Sequence, residues 1–517
     1  MNCGGRRLGW VIGESTPSRS VVLFDREAGN VRAGLYVTAY ANGECVLGIL
    51  ERIVSGNPLL PEHLRDAEEV QGLSRYPELG GRLYKRGVIR WLSLAEPLAR
   101  YGKLEAPRVP VDPSTEVYEA PREILRSIFA GSGLSWVEIG HLITDENVRV
   151  GIDVNKLTRH LAILAVTGGG KSNTVCVLAE RIVRGLKGTI VVFDMHGEYS
   201  RSDIVPGSQK VIKPRIHPYS LSFAELLKLT RMPPSATNQE RILREAWRSI
   251  RERYLKGEIT RGNFMDSLMA EVKMMLGAKG ADKSAVYGVL NRLDDVIEYY
   301  GDVIDENAPT SLTSIIEPGK LNIFDLSDVD ENGADAVVSH YLRRILFERK
   351  RAKLSGGQEG YPVPVLVVIE EAHVLIPRDA STLTKTWASR VAREGRKFGV
   401  GLVLVSQRPK GLDPDVLSQT NNKIILRIVE PTDQRYVQQA SEQLSEDLLE
   451  LLPDLNPGEA VVLGSMVKIP ALVKIDLCRA STGGSDIDMA NEWVKWAGFS
   501  REIEEELVED LRDMAEL

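Results

Sequence analysis

An apolar run, Leu161–Val166, leads into Thr167-Gly168-Gly169-Gly170-Lys171-Ser172-Asn173, and a second apolar segment with Val175, Val177, Leu178 and Ile182 follows. This order reads as a strand, a glycine turn and the start of a helix. Glycines let the backbone curl until its N–H groups face inward on phosphate oxygens, and the first helical turn adds partial positive charge. Lys171 is then placed for the β- and γ-phosphates of a nucleoside triphosphate, and Ser172 for Mg²⁺. The expected nucleotide ligands are Thr167, Gly168, Gly169, Gly170, Lys171, Ser172 and Asn173, with ATP and Mg²⁺ as the cofactors. Ala165 stands where this pattern usually opens with glycine, and it permits the same turn if its φ is negative.

A second strand, Val363–Ile369, ends in two carboxylates, Glu370 and Glu371. Buried acids are costly unless they hold a metal or activate water. Glu370 is expected to orient the Mg²⁺ shell and Glu371 to polarise the attacking water. A third strand, Val400–Ser406, ends at Gln407, which either senses water and γ-phosphate or forms the turn. A fourth ends at Asp194 with Glu198 just beyond; the two either assist the metal or position the next helix, and Asp194 is counted among the nucleotide ligands. His196 and His373 have no partners at ligand spacing and read as local hydrogen-bonding residues. Arg393 and Arg396 lie on or just after a helix; either they reach a neighbouring subunit's phosphates or they form a solvated basic face.

Such residues need a parallel sheet to bring strand ends together. Strand candidates Leu161–Val166, Thr189–Asp194, Lys320–Leu326, Val363–Ile369, Val400–Ser406, Lys423–Val429, Ala460–Leu463 and Ala471–Leu477 alternate with helices, the grammar of a sheet covered on both faces. Before them, Leu8–Ile12, Ser20–Phe24, Leu35–Tyr40, Cys45–Val54 and Gly87–Leu92 are short strands broken by turn residues, which suggests a small β-barrel. Pro110–Pro121 reads as a linker. Between about Ile216 and Tyr300 the strands vanish, and Ile242, Ala246, Ile250 and Tyr254 recur every four residues as one helical stripe. Helices are also expected over Asn263–Leu276 and Lys283–Tyr300. Near the C-terminus Ile503, Leu507, Leu511 and Met514 make an apolar stripe on an acidic helix, which needs its own domain or a neighbouring subunit to dock on.

The domain plan is therefore a barrel over 1–110, a linker and lead-in over 111–147, an α/β core over 148–480 with a helical insertion at 216–305, and a terminal helical segment over 481–517. The 517 residues are 43% hydrophobic and 26% charged, with a formal net charge of −7. That balance allows a large core, weakens a passive DNA-coating role and leaves only a local basic lining for nucleic acid. Cys3, Cys45, Cys176 and Cys478 are scattered, so neither a disulfide framework nor a zinc site is expected, and a reducing cytosol is the natural setting. No stretch approaches the roughly 18 uninterrupted apolar residues of a membrane span, and the opening residues lack the apolar centre of a signal peptide.

ILAVTGGGKSN, VFDMHGEYS, VVIEEAH, REGRKFGVGLVLVSQRP and RIVEPTDQRYVQQAS together resemble the HerA family of the FtsK–HerA superfamily of DNA translocases. The resemblance implies a RecA-like P-loop ATPase core, a mainly parallel sheet with helices on both faces, joined to a small N-terminal β-barrel, a helical insertion and a C-terminal brace. It implies a homohexameric ring that threads double-stranded DNA in the cytoplasm at the nucleoid, partnered by a NurA-type nuclease in end resection. It favours Arg396 as the finger acting on a neighbour's nucleotide and makes Arg159 a further nucleotide-site arginine. Two departures stand out: Ala165 for glycine, and Gly169 where serine is common. Two other functions are compatible with the motifs, a related conjugation or secretion motor for another polymer and a nucleotide-gated scaffold for a nuclease. An intact Glu371 argues against a pure scaffold.

Overall fold

The computed structural model describes residues 3–58, 60, 67–74, 83–277 and 282–480, with two isolated positions, 489 and 493. The stripe expected at Ile503–Met514 lies outside the described residues. Six strands close the N-terminal barrel: β1 (Arg7–Ile12), β2 (Arg19–Phe24), β3 (Tyr36–Ala41), β4 (Glu44–Gly56), β5 (Tyr84–Leu94) and β6 (Glu116–Glu119), in the order β1-β2-β5-β4-β3-β6. β5 alternates buried and half-exposed residues along most of its length, as a wall with one wet face must. Leu8, Val22, Val37, Val46, Leu50 and Ile89 fill the interior.

The expected linker is not one. β6 falls inside Pro110–Pro121 and pairs with both β1 and β3, so that segment supplies the closing stave of the barrel. Four residues flanked by Pro and acids carry too little apolar pattern to announce a strand. The lead-in is ordered as well. It holds the helix Arg122–Phe129 and a hairpin of β7 (Trp136–Leu142) and β8 (Asp145–Asp153), which forms one edge of the large sheet.

That sheet has eleven strands, ordered β11-β12-β10-β13-β14-β9-β15-β16-β17-β7-β8. The remaining strands are β9 (Leu161–Leu164), β10 (Thr189–Asp194), β11 (Gln209–Ile212), β12 (Leu321–Asp325), β13 (Val365–Ile369), β14 (Val400–Ser406), β15 (Asn422–Ile425), β16 (Glu459–Leu463) and β17 (Ala471–Ile475). From β11 to β15 all pairings are parallel, and from β15 to β8 they are antiparallel. β9, β10 and β14 are buried at every position, which matches their apolar runs, and β15 is buried throughout although it opens with Asn422 and Lys423. β11 escaped the sequence reading because Gln209-Lys-Val-Ile is a half-wet edge strand.

The insertion between β11 and β12 is helical, as expected. Its longest helix, Thr237–Leu255, buries Ile242, Leu243, Ala246, Trp247 and Ile250, and Phe264–Met274 and Lys283–Tyr300 pack against it. The helix Glu331–Leu354 then lies between the insertion and the helix Leu383–Glu394.

The cysteines overturn an expectation. Cys3 and Cys45 form a disulfide, and so do Cys176 and Cys478. Their sequence separations of 42 and 302 hold no pairing signal, yet folding brings the Cα atoms to 5.6 and 5.9 Å. Among the described residues no helix is long and apolar enough to cross a membrane.

Candidate nucleotide-hydrolysis site

The glycine loop sits at the C-terminal end of β9, and the helix Lys171–Leu186 begins directly after it. Gly168 (φ +73°) and Gly170 (φ +104°) occupy left-handed backbone that a side chain would strain. Gly169 is constrained differently. A Cβ there would stand 3.0 Å from Ala165 Cβ and 3.1 Å from Val166 O. The two departures from the usual motif are thus one steric event, in which the extra methyl at Ala165 is matched by a missing side chain at Gly169. The loop is braced from outside, since Gly458 N donates to Gly169 O at 3.1 Å.

Lys171 folds back onto its own loop, Nζ donating to Val166 O at 3.3 Å. Burial lowers its pKa, while the negative charges of Glu371, Glu370 and Glu198 pull it back up. Ser172 Oγ donates to Glu198 Oε2 at 2.6 Å, and Thr167 Oγ1 donates to Gln407 Oε1 at 2.7 Å. The loop is therefore tied to β10 through Glu198 and to β14 through Gln407. The sequence had paired neither.

Glu370 and Glu371 follow β13, the strand between β10 and β14. Glu370 is 4% exposed; Oε1 accepts from the Tyr199 hydroxyl at 2.9 Å, and Oε2 has no hydrogen-bond partner. Burial, together with the charges of Asp194, Glu198 and Glu371, pushes its pKa well above the carboxylate range. Glu371 adopts φ +43°, ψ +44°, left-handed backbone that costs a non-glycine residue about 1–2 kcal/mol. Its Oε2 is buried, 3.1 Å from His373 Nδ1 but without hydrogen-bond alignment. Strain and an unmet buried oxygen are paid where a carboxylate must be aimed rather than comfortable.

This environment fits a divalent cation. An orphaned buried carboxylate oxygen, a neighbouring serine hydroxyl and crowded negative charge are all relieved by added positive charge. No three His, Cys, Asp or Glu side chains among the described residues converge as a metal cage. Ser172 and Glu370 would hold Mg²⁺, with phosphate oxygens and water supplying the rest of its ligands.

Three expected nucleotide ligands either make other contacts or lie away from the loop of their own chain. Asp194 is fully buried and accepts from Gly197 N, Glu198 N, Tyr199 N, Ser200 N and Ser200 Oγ at 2.9–3.1 Å. It shapes the turn that delivers Glu198 and Tyr199, which is the positioning role of the two considered. Asn173 Nδ2 donates to Asp476 O at 2.8 Å and its Oδ1 accepts from Cys478 N at 2.8 Å. It fastens the first helical turn to the segment after β17, beside the Cys176–Cys478 bond. Asp476 is also held by Arg149 and Arg181.

Arg159 is the third. It precedes β9 and so lies at the N-terminal edge of the parallel strands, whereas the glycine loop lies at the C-terminal edge. Arg393 and Arg396 share that far edge: the turn Gly395–Phe398 leads into β14, and His160 bonds Ala392 O and Leu402 N. Both arginines are exposed and form no ion pair among the described residues. None of the three belongs to the phosphate loop of its own chain. His196 is exposed, and His373 makes the local contact with Ser406 Oγ (3.3 Å) that its lack of ligand spacing suggested.

Glu198 and Tyr199 were the residues missed. For Glu198 the bond to Ser172 is what the spacing does not show, and Tyr199 touches Glu370 across 171 residues of sequence, a distance no motif spans.

Known proteins resemble this chain over most of its length. The profile described as helicase HerA, central domain, matches residues 137–345, and the one described as helicase HerA-like C-terminal matches 354–483. The DNA double-strand break repair helicase HerA of Sulfurisphaera tokodaii is 42% identical over 508 residues, covering 96% of this chain and 98% of that protein. The protein of the same name from Pyrococcus furiosus is 34% identical, covering 90% and 93%. VirB4 of Thermoanaerobacter pseudethanolicus superimposes with a TM-score of 0.51 at 16% identity over 68% of this chain and 98% of that one, a likeness of fold alone. A glycine loop tied to two other strands of the sheet, a strained acid beside it and relatives this similar over nearly the whole length lead to one statement: the chain belongs to the HerA family of helicases, ATP-hydrolysing enzymes of the P-loop class.

Proposed function

We propose that this protein is an ATP-driven translocase on double-stranded DNA, working as a closed ring of identical subunits, six as the resemblance implies. The observation that carries the ring is the placement of Arg159, Arg393 and Arg396 at the edge of the sheet opposite the chain's own phosphate loop. A head-to-tail neighbour would bring that edge onto the loop, and head-to-tail contacts that close make rings. DNA as the track, and repair as the setting, rest on relatives named as DNA double-strand break repair helicases. A NurA-type nuclease partner, end resection and a cytoplasmic, nucleoid-associated site of action belong to the same reading.

In hydrolysis, the inward N–H groups of Gly168–Ser172 and the Lys171 ammonium hold the triphosphate. Glu371 takes the proton of the attacking water as its oxygen bonds the γ-phosphorus, and ADP leaves with the displaced bridging oxygen. Gln407, already bonded to Thr167, reports the γ-phosphate to β14. Ser172 and Glu370 would hold Mg²⁺, which when bound neutralises charge on the phosphate oxygens. Arg396 of one subunit, with Arg393 and Arg159 near it, would stabilise charge on the phosphoryl group bound by the next.

The test is ATPase rate against duplex concentration, at low and moderate salt, on size-selected oligomers. The rate should rise with duplex, and the stimulation should weaken steeply with salt, because phosphate contacts release counterions. A rate indifferent to duplex in assembled rings would remove the translocase reading and favour the nucleotide-gated scaffold.

A further inference from the structure

A cleft of about 660 Å³ opens between the helical insertion and the helix Glu331–Leu354, far from the glycine loop in sequence and in the fold. Arg251, Arg343, Arg344, Lys350 and Arg351 line it, together with Tyr219, Phe347 and Leu354. Two of the cations are answered locally: Arg343 by Glu225 at 2.9 Å, and Arg344 by Glu348 at 3.9 Å. Arg251 instead donates to Leu221 O and lies 4.8 Å over the Tyr219 ring, and Lys350 stands over the Phe398 ring. Arg251, Lys350 and Arg351 form no ion pair among the described residues. In a chain of net charge −7 such a concentration of unanswered cations predicts an anionic occupant.

The apolar groups narrow the choice. Phe347 is 43% exposed and Leu354 75% exposed on the same helix as Lys350 and Arg351. Phe347 is held at a fixed angle by Trp387, ring centroids 5.6 Å apart, and Arg390 lies 5.4 Å over it. A positioned aromatic ring beside unpaired cations is the construction that stacks a base while the cations follow its phosphates. A hollow of this volume is of the order that takes one small organic molecule, so it suits about one or two splayed nucleotides. We propose that this cleft binds single-stranded nucleic acid. It rests on reading the protein as a DNA motor, and a motor that parts strands needs a place for the one it sets aside.

The test uses the full-length assembled protein, with a fluorescent single-stranded oligonucleotide and a duplex of equal length titrated over a range of salt. Phe347→Ala should weaken the single strand about 10-fold. Lys350→Ala with Arg351→Ala should make its log–log salt slope shallower by about 1.4, at about 0.7 per lost phosphate contact. Duplex affinity should be unchanged in both. If wild-type ATPase ignores duplex, the motor reading fails by a separate measurement. Unchanged single-strand affinity and slope would overturn the cleft assignment, and so would an equal loss for duplex. Residues 481–517 carry eleven Asp and Glu against three Lys and Arg, and form the competing occupant. Faster proteolysis within them in the cleft variants, with single-strand binding intact, would give the cleft to this acidic segment and overturn the proposal.

Discussion

The two edges of the large sheet's parallel half are built to opposite rules. At the C-terminal edge Glu370 and Glu371 are buried, Lys171 is half-buried, and each hydroxyl of the loop already has a partner. At the N-terminal edge Arg393 and Arg396 are exposed. The first edge has paid the cost of desolvating its acids during folding and holds strain at Glu371 to aim one of them. The second keeps its cations hydrated and surrenders that hydration only when something docks. On the ring proposed above, a site divided this way is preorganised in one half and assembly-dependent in the other.

The largest expected effects test that division directly. Arg396→Ala should lower ATPase about 10³–10⁵-fold, with nucleotide affinity of the separated subunit unchanged. Glu371→Gln should also stop turnover while trapping ATP. Mixed rings of the two variants should recover activity, because some interfaces join an intact acid to an intact arginine. No recovery in rings shown to be mixed would mean that the two edges do not meet across subunits, and Arg393 would be examined next.

A smaller effect concerns how the preorganised edge is fastened. The Cys176–Cys478 bond ties the helix after the glycine loop to the end of β17 and closes a loop of 302 residues. Cys176→Ser should cost about 3 kcal/mol of stability, read as a lower denaturation midpoint for oxidised protein. The same shift should follow reduction of the wild type. If reduction changes neither midpoint nor thiol count, the cysteines are not paired in solution.

The opposite edge has its own fastening, and pH reaches it. His160 Nε2 bonds Ala392 O at 2.9 Å and Nδ1 accepts from Leu402 N at 3.1 Å, so the neutral ring is fully used. Burial lowers its pKa from 6.5 to about 4. Between those values the unfolded chain binds a proton that the folded chain refuses. The contribution is therefore complete above pH 6.5 and falls away as pH drops through about 4, summing to about 3 kcal/mol. His160→Gln should flatten stability against pH across that window. An unchanged slope would place the acid sensitivity elsewhere.

The smallest effect sharpens the account of the loop itself. Gly169→Ser restores the commoner residue but drives a Cβ against Ala165 and Val166 O. Crowding of about 1 kcal/mol should weaken nucleotide binding about fivefold. Adding Ala165→Gly should restore most of it, and a double variant no better than the single one would dissolve the pairing of these two positions.

Much of this was legible without coordinates, for a local reason. Continuous apolar runs followed by Gly168–Ser172, Glu370–Glu371 and Gln407 announce buried parallel strands with functional ends, because strand, turn and helix start are each specified within a few residues. The stripe Ile242–Tyr254 announced its helix through the same local periodicity. β6 and β11 stayed hidden because a four-residue strand carries almost no period to read.

What the sequence by itself determined, then, is the chemistry of the phosphate loop and the acid beside it, since those signals are contiguous. Only the tertiary structure decided the partners. It joined Thr167 to Gln407, Ser172 to Glu198 and Glu370 to Tyr199, spent Asp194 and Asn173 on holding the fold, and paired four cysteines that have no mutual spacing. It also put Arg159 on the far edge although only eight residues separate it from Gly168. The physical reason is that a strand lies between them: β9 is buried at every position and straight, so the residues before and after it must emerge on opposite sides of the sheet.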